Sequence, residues 1–505
     1  MRLSNWNPVI NTIQTVLVFS LLLSFNQQKT YAQKFITTNS KSTDIGSIVV
    51  ARWADDRASA FSFSFDDGLL SQYENARLIL NQFGFKGTFY ILPDFLTEDF
   101  PAIWRYGIWP QFQEIALEGH EVGSHTLTHP YLTNLDVGDT TTEGTVLYEL
   151  YQSKKKIEQK IPFAKNITLA YPFSDRDSDI DSLTSLFYEA ARSEGVEPNS
   201  FSLGFWNYYD LNSFPVRFTG PRTMDGDLDE LYDFQNWTQG PINNGQWGIM
   251  MVHEVVPFSE LGDLVSQGLY EPISNEWFTS YCEWISTKVQ SKDVWIETVA
   301  NVTRYMKERD NYDYKIISAS NNLIEINLTD SLDDPIYNFP LSAYVKVPLE
   351  WNMVLTMQDN RIDTVSVIQT DSGKVVLANI IPDKGIIKLT PLNITSVENE
   401  ITLVNEFELF QNYPNPFNPT TKIRFTIPTS PFNPSPSQGE GNRERSVTLK
   451  VYDILGNEVT TLVNEQKTPG YYEIDFNASA LASGVYIYRL QVSNFSSTKK
   501  MMVLK

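Results

Sequence analysis

Only four histidines occur in the 505 residues, and His120, His125 and His129 share one window, Gly119–Pro130, which reads GHEVGSHTLTHP. His125 and His129 are four apart, so one helical turn or a tight loop can aim both imidazoles at a single point. Neutral imidazole is a common ligand for zinc and similar ions. No glutamate follows His125, so the H-E-x-x-H pattern is absent. A carboxylate from elsewhere must then complete the shell and serve as base. Asp66-Asp67-Gly68 offers two, and the fourth histidine, His253, follows the apolar run Gly248–Val252. Two imidazoles and one carboxylate form a facial set that leaves positions open for water and substrate. A metal there would lower the pKa of its water, and a second carboxylate could accept the proton. Consecutive side chains point apart, so one aspartate can ligate while the other acts as base. A histidine from another strand could protonate a leaving amine or alkoxide. That parts list describes metal-assisted hydrolysis of an acyl group. Each part has a plainer reading: a surface histidine pair, an ordinary turn, a satisfied core histidine. Their conjunction carries the argument.

These side chains need rigid elements to hold them. Ala58–Phe65, ASAFSFSF, alternates with period two, a strand signature, and delivers the aspartate pair at its C-terminal end. A helix with Ala76, Ile79, Leu80 and Phe83 on one face follows, stopped by Gly84. Lys86–Leu92 reads as a strand, Phe112–Leu117 as a helix, and Glu121–Ser124 as a strand entering the histidine loop. Thr142–Lys160 is expected to be helical. Ile167–Ala170 is a strand leading into Tyr171-Pro172-Phe173, and Leu183–Arg192 a helix. Gly248–Val252 is a fully apolar strand, with helices at Trp277–Lys288 and Ile296–Lys307. Such alternation over roughly 260 residues suggests an α/β barrel or a doubly wound sheet. Both place chemistry at the C-terminal ends of strands.

The net charge of −22 leaves no basic stripe to neutralise phosphates, so no nucleic-acid partner is expected. Cys282 is the only cysteine, which excludes a disulfide framework and a cysteine-based zinc site; it reads as a buried helical position. Residues 1–32 have a signal-peptide layout: Arg2, the apolar run Val16–Phe25, then Thr30-Tyr31-Ala32. The run is short for a membrane span, so no transmembrane segment is expected in the mature protein. Residues 33–47 read as a linker, and 48–310 as the catalytic domain. Beyond Asn311 the helical period disappears. Residues 311–396 and 403–505 are expected to form two small all-β sandwich domains, the second interrupted by a low-complexity insertion at 429–446. The first of these reads as a spacer or packing module. Trp206, Trp237 and Trp247 read as core or rim packing rather than sugar-stacking residues.

The motifs also carry a family resemblance. Ser64-Phe65-Asp66-Asp67-Gly68, His125-Thr126-Leu127-Thr128-His129 and Met251-Val252-His253 resemble the first, second and fifth motifs of the polysaccharide deacetylases, the NodB-homology carbohydrate esterases of the family 4 type. The resemblance implies a distorted (β/α) barrel and a divalent metal, usually Zn2+, with Co2+, Ni2+ or Mn2+ as alternatives. It implies Asp66 as general base, Asp67, His125 and His129 as metal ligands, and His253 as general acid. Tyr171-Pro172-Phe173 resembles the third motif, where the Phe173 N–H would help stabilise an oxyanion. Met251 would line the pocket for the acetyl methyl. Many members carry an arginine two residues before the third-motif proline, and here that position is Ala170. Arg222 and Asp225, in PRTMDGD, are the candidates for a supporting pair.

Phe410–Pro419, Val451–Gly456 and Leu481–Leu490 resemble the type A sorting domain of the type IX secretion system. That implies the secretion machinery as partner and a secreted or cell-surface location in a Gram-negative bacterium. The expectation is a hydrolase acting on carbon–nitrogen bonds other than peptide bonds, removing N-acetyl groups from an acetylated aminosugar polymer. The alternatives are an O-acetyl esterase on a plant glycan such as acetyl-xylan, or a non-catalytic glycan-binding surface protein.

Overall fold

The structure, a computed structural model, describes residues 44–503. It leaves out 101–104, 165–166, 201–207, 217–223, 267–271, 393–406 and 428–444, and positions 360, 413, 416, 454–455, 469 and 493–494. The expected signal peptide, most of the linker and the insertion, Trp206 and Arg222 lie outside the described residues, as does the Asp225 side chain. The chain divides into two compact units, Met1–Asn393 and Ile394–Lys505.

In the first unit, Ile48–Val50 (β1) pairs antiparallel with Leu341–Val347, so it joins the sheet that follows the barrel rather than the barrel itself. The barrel consists of Ser59–Phe65 (β2), Gly87–Ile91 (β3), Glu121–Ser124 (β4), Leu169–Ala170 (β5), Ala191–Glu194 (β6), Leu211–Pro215 (β7) and Trp247–Val252 (β8). Each pairs parallel with the next, and β2 pairs parallel with β8 from Ala60 to Phe65. That last pairing closes seven strands into a ring and excludes the doubly wound alternative. Val294–Ile296 adds to the first half of β2 on the edge that β3 occupies further along.

The alternation in β2 is a sorting of faces. Phe61, Phe63 and Phe65 pack outward into one apolar cluster with Phe278, Tyr281 and Leu80. Each fully buried phenylalanine contributes about 1.5–3 kcal/mol relative to exposure. Ala60 turns the other way, joining Trp247, Val299 and Met306 in a cluster that fills the opposite side. Ser62 and Ser64 share that side, and Ser64 Oγ donates to Met250 O at 2.6 Å. Cys282 is buried on the helix Asn275–Gln290, where burial pushes its thiol pKa far up and leaves it inert.

Two helical expectations fail in instructive places. Leu183–Arg192 is not one helix: Asp177 caps a helix at Ser178–Thr184 by accepting from Asp179 N and Ile180 N, and the chain then turns into β6. Ile296–Lys307 gives way to the strand Val294–Ile296 and a helix at Val299–Asn311, capped by the Thr298 side chain. The helix after the histidine loop begins at Val146, not Thr142.

The rest of the first unit is antiparallel. Strand Arg361–Thr370 pairs with Met353–Gln358 through its first part and with Gly373–Ile380 through its last, linking two sheets around one apolar core. The second unit has a three-stranded and a four-stranded antiparallel sheet sharing a core that includes Phe425, Val451, Tyr488 and Leu490.

Candidate active site

The candidate side chains leave the barrel wall at one end. Asp66 and Asp67 follow β2, His125 follows β4 and His253 follows β8. The register brings these ends level: Phe65 lies opposite Val252, and Ile91 opposite Ser124. Asp66 N donates to Val252 O and His125 N to Ile91 O, both at 2.9 Å. Residues Gln72–Ala76 form a π-helical turn, a departure common at functional sites. It carries the buried Gln72, whose Nε2 donates to the carbonyls of both Asp66 and His253. One amide thus ties together two motifs far apart in sequence.

A helix residue holds the histidine loop. Glu149, on Val146–Lys160, accepts from Leu127 N and Thr128 N at 2.9 Å and from Thr128 Oγ1 at 2.7 Å. Inside the loop, His129 N donates to Thr126 Oγ1 at 3.1 Å. Thr126 and His129 have φ of 66°, and Asp67 has 78°. Left-handed backbone at such residues costs about 1–3 kcal/mol each. The strain falls on the loops that present the candidate ligands.

Three donor atoms converge there. His125 Nε2 and His129 Nε2 are 3.2 Å apart, and Asp67 Oδ1 lies 3.7 Å and 3.6 Å from them. His125 is 3% exposed. Its Nδ1 faces the Ala170 carbonyl at 2.8 Å, which places the proton on Nδ1 and leaves a lone pair on Nε2. Burial pushes the pKa of both imidazoles below the usual value, His125 far below and with help from His129 beside it. Both are neutral at pH 7, the state a metal requires. Donors around one tetrahedral zinc at about 2.1 Å sit roughly 3.4 Å from one another. The spacing here, and the donor types, fit a divalent cation.

Asp66 is 2% exposed and faces the same point with a different partner. Its Oδ1 is ion-paired with the Arg192 guanidinium, while Oδ2 lies 3.9 Å from His125 Nε2. Arg192 is 1% exposed, donates to Ser213 Oγ at 3.2 Å and lies 4.7 Å over the Tyr90 ring. The helix expected over Leu183–Arg192 conceals Arg192, which lies instead on the strand Ala191–Glu194. Register was the signal that could have found it: across β5 and β6, Arg192 is the direct partner of Ala170. The guanidinium absent from one strand arrives from its neighbour.

One open pocket of about 440 Å³ is lined by Asp66, Asp67, His125, His129 and His253, with Arg192 in its wall. Met251, Tyr171 and Phe173 also line it, and Pro172 is buried in the turn between the last two. Tyr171 Oη donates to Asp181 Oδ1 at 3.1 Å, and burial raises its pKa far enough to keep the phenol neutral. Arg105 reaches the pocket and pairs with the buried Glu254 at 3.2 Å.

A closed parallel barrel that gathers two neutral imidazoles, two carboxylates and a further histidine at its C-terminal mouth has the equipment of a metal-assisted hydrolase. Residues 54–191 match the family described as polysaccharide deacetylase, and residues 411–504 match the secretion system C-terminal sorting domain. The chain therefore carries a NodB-type polysaccharide deacetylase domain and a C-terminal sorting domain. A curated relative, a gellan lyase of a Bacillus species, is 27% identical over 354 residues, 68% of this chain. The chain spans 13% of that relative's length. Among solved structures, the chitin deacetylase of the fungal pathogen Colletotrichum lindemuthianum is 15% identical, covering 51% of this chain and 92% of its own, with a TM-score of 0.31. The Xyl-CE4 domain of a multidomain xylanase from the hindgut metagenome of Trinervitermes trinervoides is 15% identical, covering 47% and 97%, with a TM-score of 0.27.

Proposed function

We propose that the protein is a secreted, metal-dependent deacetylase that hydrolyses acetyl groups on a glycan, foremost the N-acetyl groups of an aminosugar polymer. The observation that carries this reading is the convergence of Asp67, His125 and His129 on one point, beside Asp66 and within a pocket shared with His253.

Asp67, His125 and His129 would hold the divalent cation, zinc in first place. When bound, it supplies Lewis acidity toward water and the acetyl carbonyl. The remaining work falls to the chain's own groups. Arg192 engages Asp66 Oδ1, so the carboxylate cannot swing away and Oδ2 stays turned toward the ligand group. Asp66 Oδ2 accepts the proton of the attacking water. The Phe173 N–H donates to the oxygen that becomes negative. His253 gives a proton to the departing nitrogen as the C–N bond breaks, so that acetate and a free amine leave. Met251 offers an apolar wall for the acetyl methyl. The sorting domain supports export by the type IX machinery to the surface or surroundings of a Gram-negative cell, after loss of residues 1–32.

The test is acetate release from N-acetylated chitin oligosaccharides and O-acetylated xylan oligosaccharides, with zinc, cobalt, nickel or manganese supplied in turn. The expected outcome is acetate from the N-acetylated set. Release from the xylan set alone would make the protein an O-acetyl esterase, and no acetate from either with any metal would end the enzyme reading. Asp66→Asn is expected to abolish turnover while retaining most of the metal.

A further inference from the structure

We propose that the outer face of the Tyr131 ring, backed by Phe173 stacked behind it, is a preformed platform for a pyranose ring, placed to hold the sugar next to the one being deacetylated. The location beside a reacting sugar rests on the deacetylase reading; the ring-stacking surface itself does not. The two rings lie face to face, 4.0 Å between centroids and 8° from parallel. Both are open to solvent, Tyr131 by 49% and Phe173 by 54%. The platform begins at the ligand group, because the Phe173 ring meets His129 edge-on at 4.5 Å.

A lone exposed aromatic ring is ordinary, but two stacked rings at the edge of a pocket make a contiguous apolar surface of the kind that marks binding sites. Here the backbone is shaped to keep them there. Phe173 and Ser174 both sit in left-handed conformations, φ 55° and 56°. Strain of this kind persists where the surroundings enforce it, and it clusters at ligand sites. The enforcing contacts are present. Asp175 accepts from Thr133 N at 2.8 Å and Thr133 Oγ1 at 2.7 Å, which clamps the loop carrying Tyr131 to the turn carrying Phe173. Ser174 Oγ accepts from Glu194 N at 2.7 Å, which fixes that turn to the end of β6. The stack is thus rigid before any ligand arrives, and preorganisation lowers the cost of binding.

The surroundings select the ligand class. Ser174, Glu194 and Arg105 line the same pocket as Phe173. An apolar face bordered by hydrogen-bonding groups suits a molecule with a C–H face and a hydroxylated edge, which is a pyranose. Among the described residues, Trp237 and Trp247 are engaged elsewhere. Trp247 is fully buried with Nε1 donating to Ser62 Oγ, and Trp237 packs against Phe214 and Phe234.

The experiment uses the full chain carrying Asp66→Asn, so that substrate is bound without being consumed. Calorimetry compares N-acetylated chitopentaose, acetylated xylopentaose and the monosaccharide N-acetylglucosamine. Adding Tyr131→Ala is expected to weaken binding of one pentasaccharide roughly tenfold, which is about 1.4 kcal/mol. Affinity for N-acetylglucosamine should change by less than about twofold, well under that 1.4 kcal/mol step. Tyr131→Trp should restore pentasaccharide affinity. A pentasaccharide bound no better than the monosaccharide by the parent, or equally well by the Tyr131→Ala variant, overturns the proposal. Equal losses for both lengths also overturn it, because they report a damaged fold. A wild-type protein that releases no acetate yet binds a pentasaccharide through Tyr131 would defeat the deacetylase reading and leave the platform standing.

Discussion

The two ends of β4 each carry a histidine, and the chain treats them oppositely. At the entry, His120 Nδ1 accepts from Gly87 N at 3.1 Å, so its proton is on Nε2, which faces Asn81 Oδ1 at 3.2 Å. At the exit, His125 Nδ1 faces the Ala170 carbonyl, so its proton is on Nδ1 and Nε2 keeps a lone pair. Both rings are buried and both are held neutral by that burial. One has spent both nitrogens on the fold; the other has spent one and aims the second at His129 and Asp67. Burial and a lowered pKa therefore do not mark a ligand. The nitrogen left over is what makes His125 a candidate ligand and His120 not one.

The sharpest way to break this contrast is to remove each imidazole in turn and measure bound metal by atomic emission. His125→Ala together with His129→Ala is expected to empty the site and lower turnover roughly 10³-fold or more, within the 10⁶-fold or larger acceleration typical of enzymes. His120→Gln should leave metal content and turnover unchanged. Equal metal in the double variant and the parent would sink the ligand assignment.

The next effect in size belongs to Arg192, which fixes the orientation of Asp66. Arg192→Gln leaves a buried carboxylate without its partner, an arrangement that costs about 3–5 kcal/mol in stability. It is expected to lower kcat roughly 10²-fold, in the range associated with a displaced general base. Metal content should stay near that of the parent, since Arg192 touches none of Asp67, His125 or His129 in the contacts above. Near-normal kcat, with the variant shown folded, would mean that Asp66 needs no such anchor. Ala170→Arg added to Arg192→Gln offers the guanidinium from the facing position of β5. Partial recovery of kcat would separate loss of orientation from loss of fold.

The candidate residues that could be read from the sequence are those whose placement follows from their immediate neighbours. Asp66-Asp67-Gly68 ends an alternating strand, and His125 and His129 sit four apart, so composition and spacing already placed them. Arg192 and Glu149 act across the fold. The run from Leu183 to Arg192 has apolar residues at helical spacing, yet Leu186 is 65% exposed and the helix stops at Thr184. A strand as short as ARSE cannot overturn a helical period when read alone. Glu149 looks like any acidic residue in a helix, because its partners are backbone N–H groups of a loop that only the closed barrel brings near. Barrel closure itself rests on the parallel pairing of β2 with β8, which no local pattern announces.

The smallest effect tests the other side of the comparison, and its sign follows from the direction of the shift. Burial lowers the His120 pKa to about 3 from its ordinary 6.5. Between those values the unfolded chain takes up a proton that the folded chain refuses. Stability from this group is therefore intact above pH 6.5 and is lost as pH falls toward 3. One such group adds a slope of up to about 1.4 kcal/mol per pH unit in that window. His120→Gln removes the titration. It is expected to cost about 1 kcal/mol at pH 8, where the bond from Gly87 N weakens. Below pH 6 it should show a shallower acid slope than the parent by about one proton. Urea unfolding at pH 8, 6 and 5 reads both quantities. Parallel slopes would mean that His120 is protonated in the fold, which would remove the reason for its neutrality and, with it, the contrast between the two ends of β4.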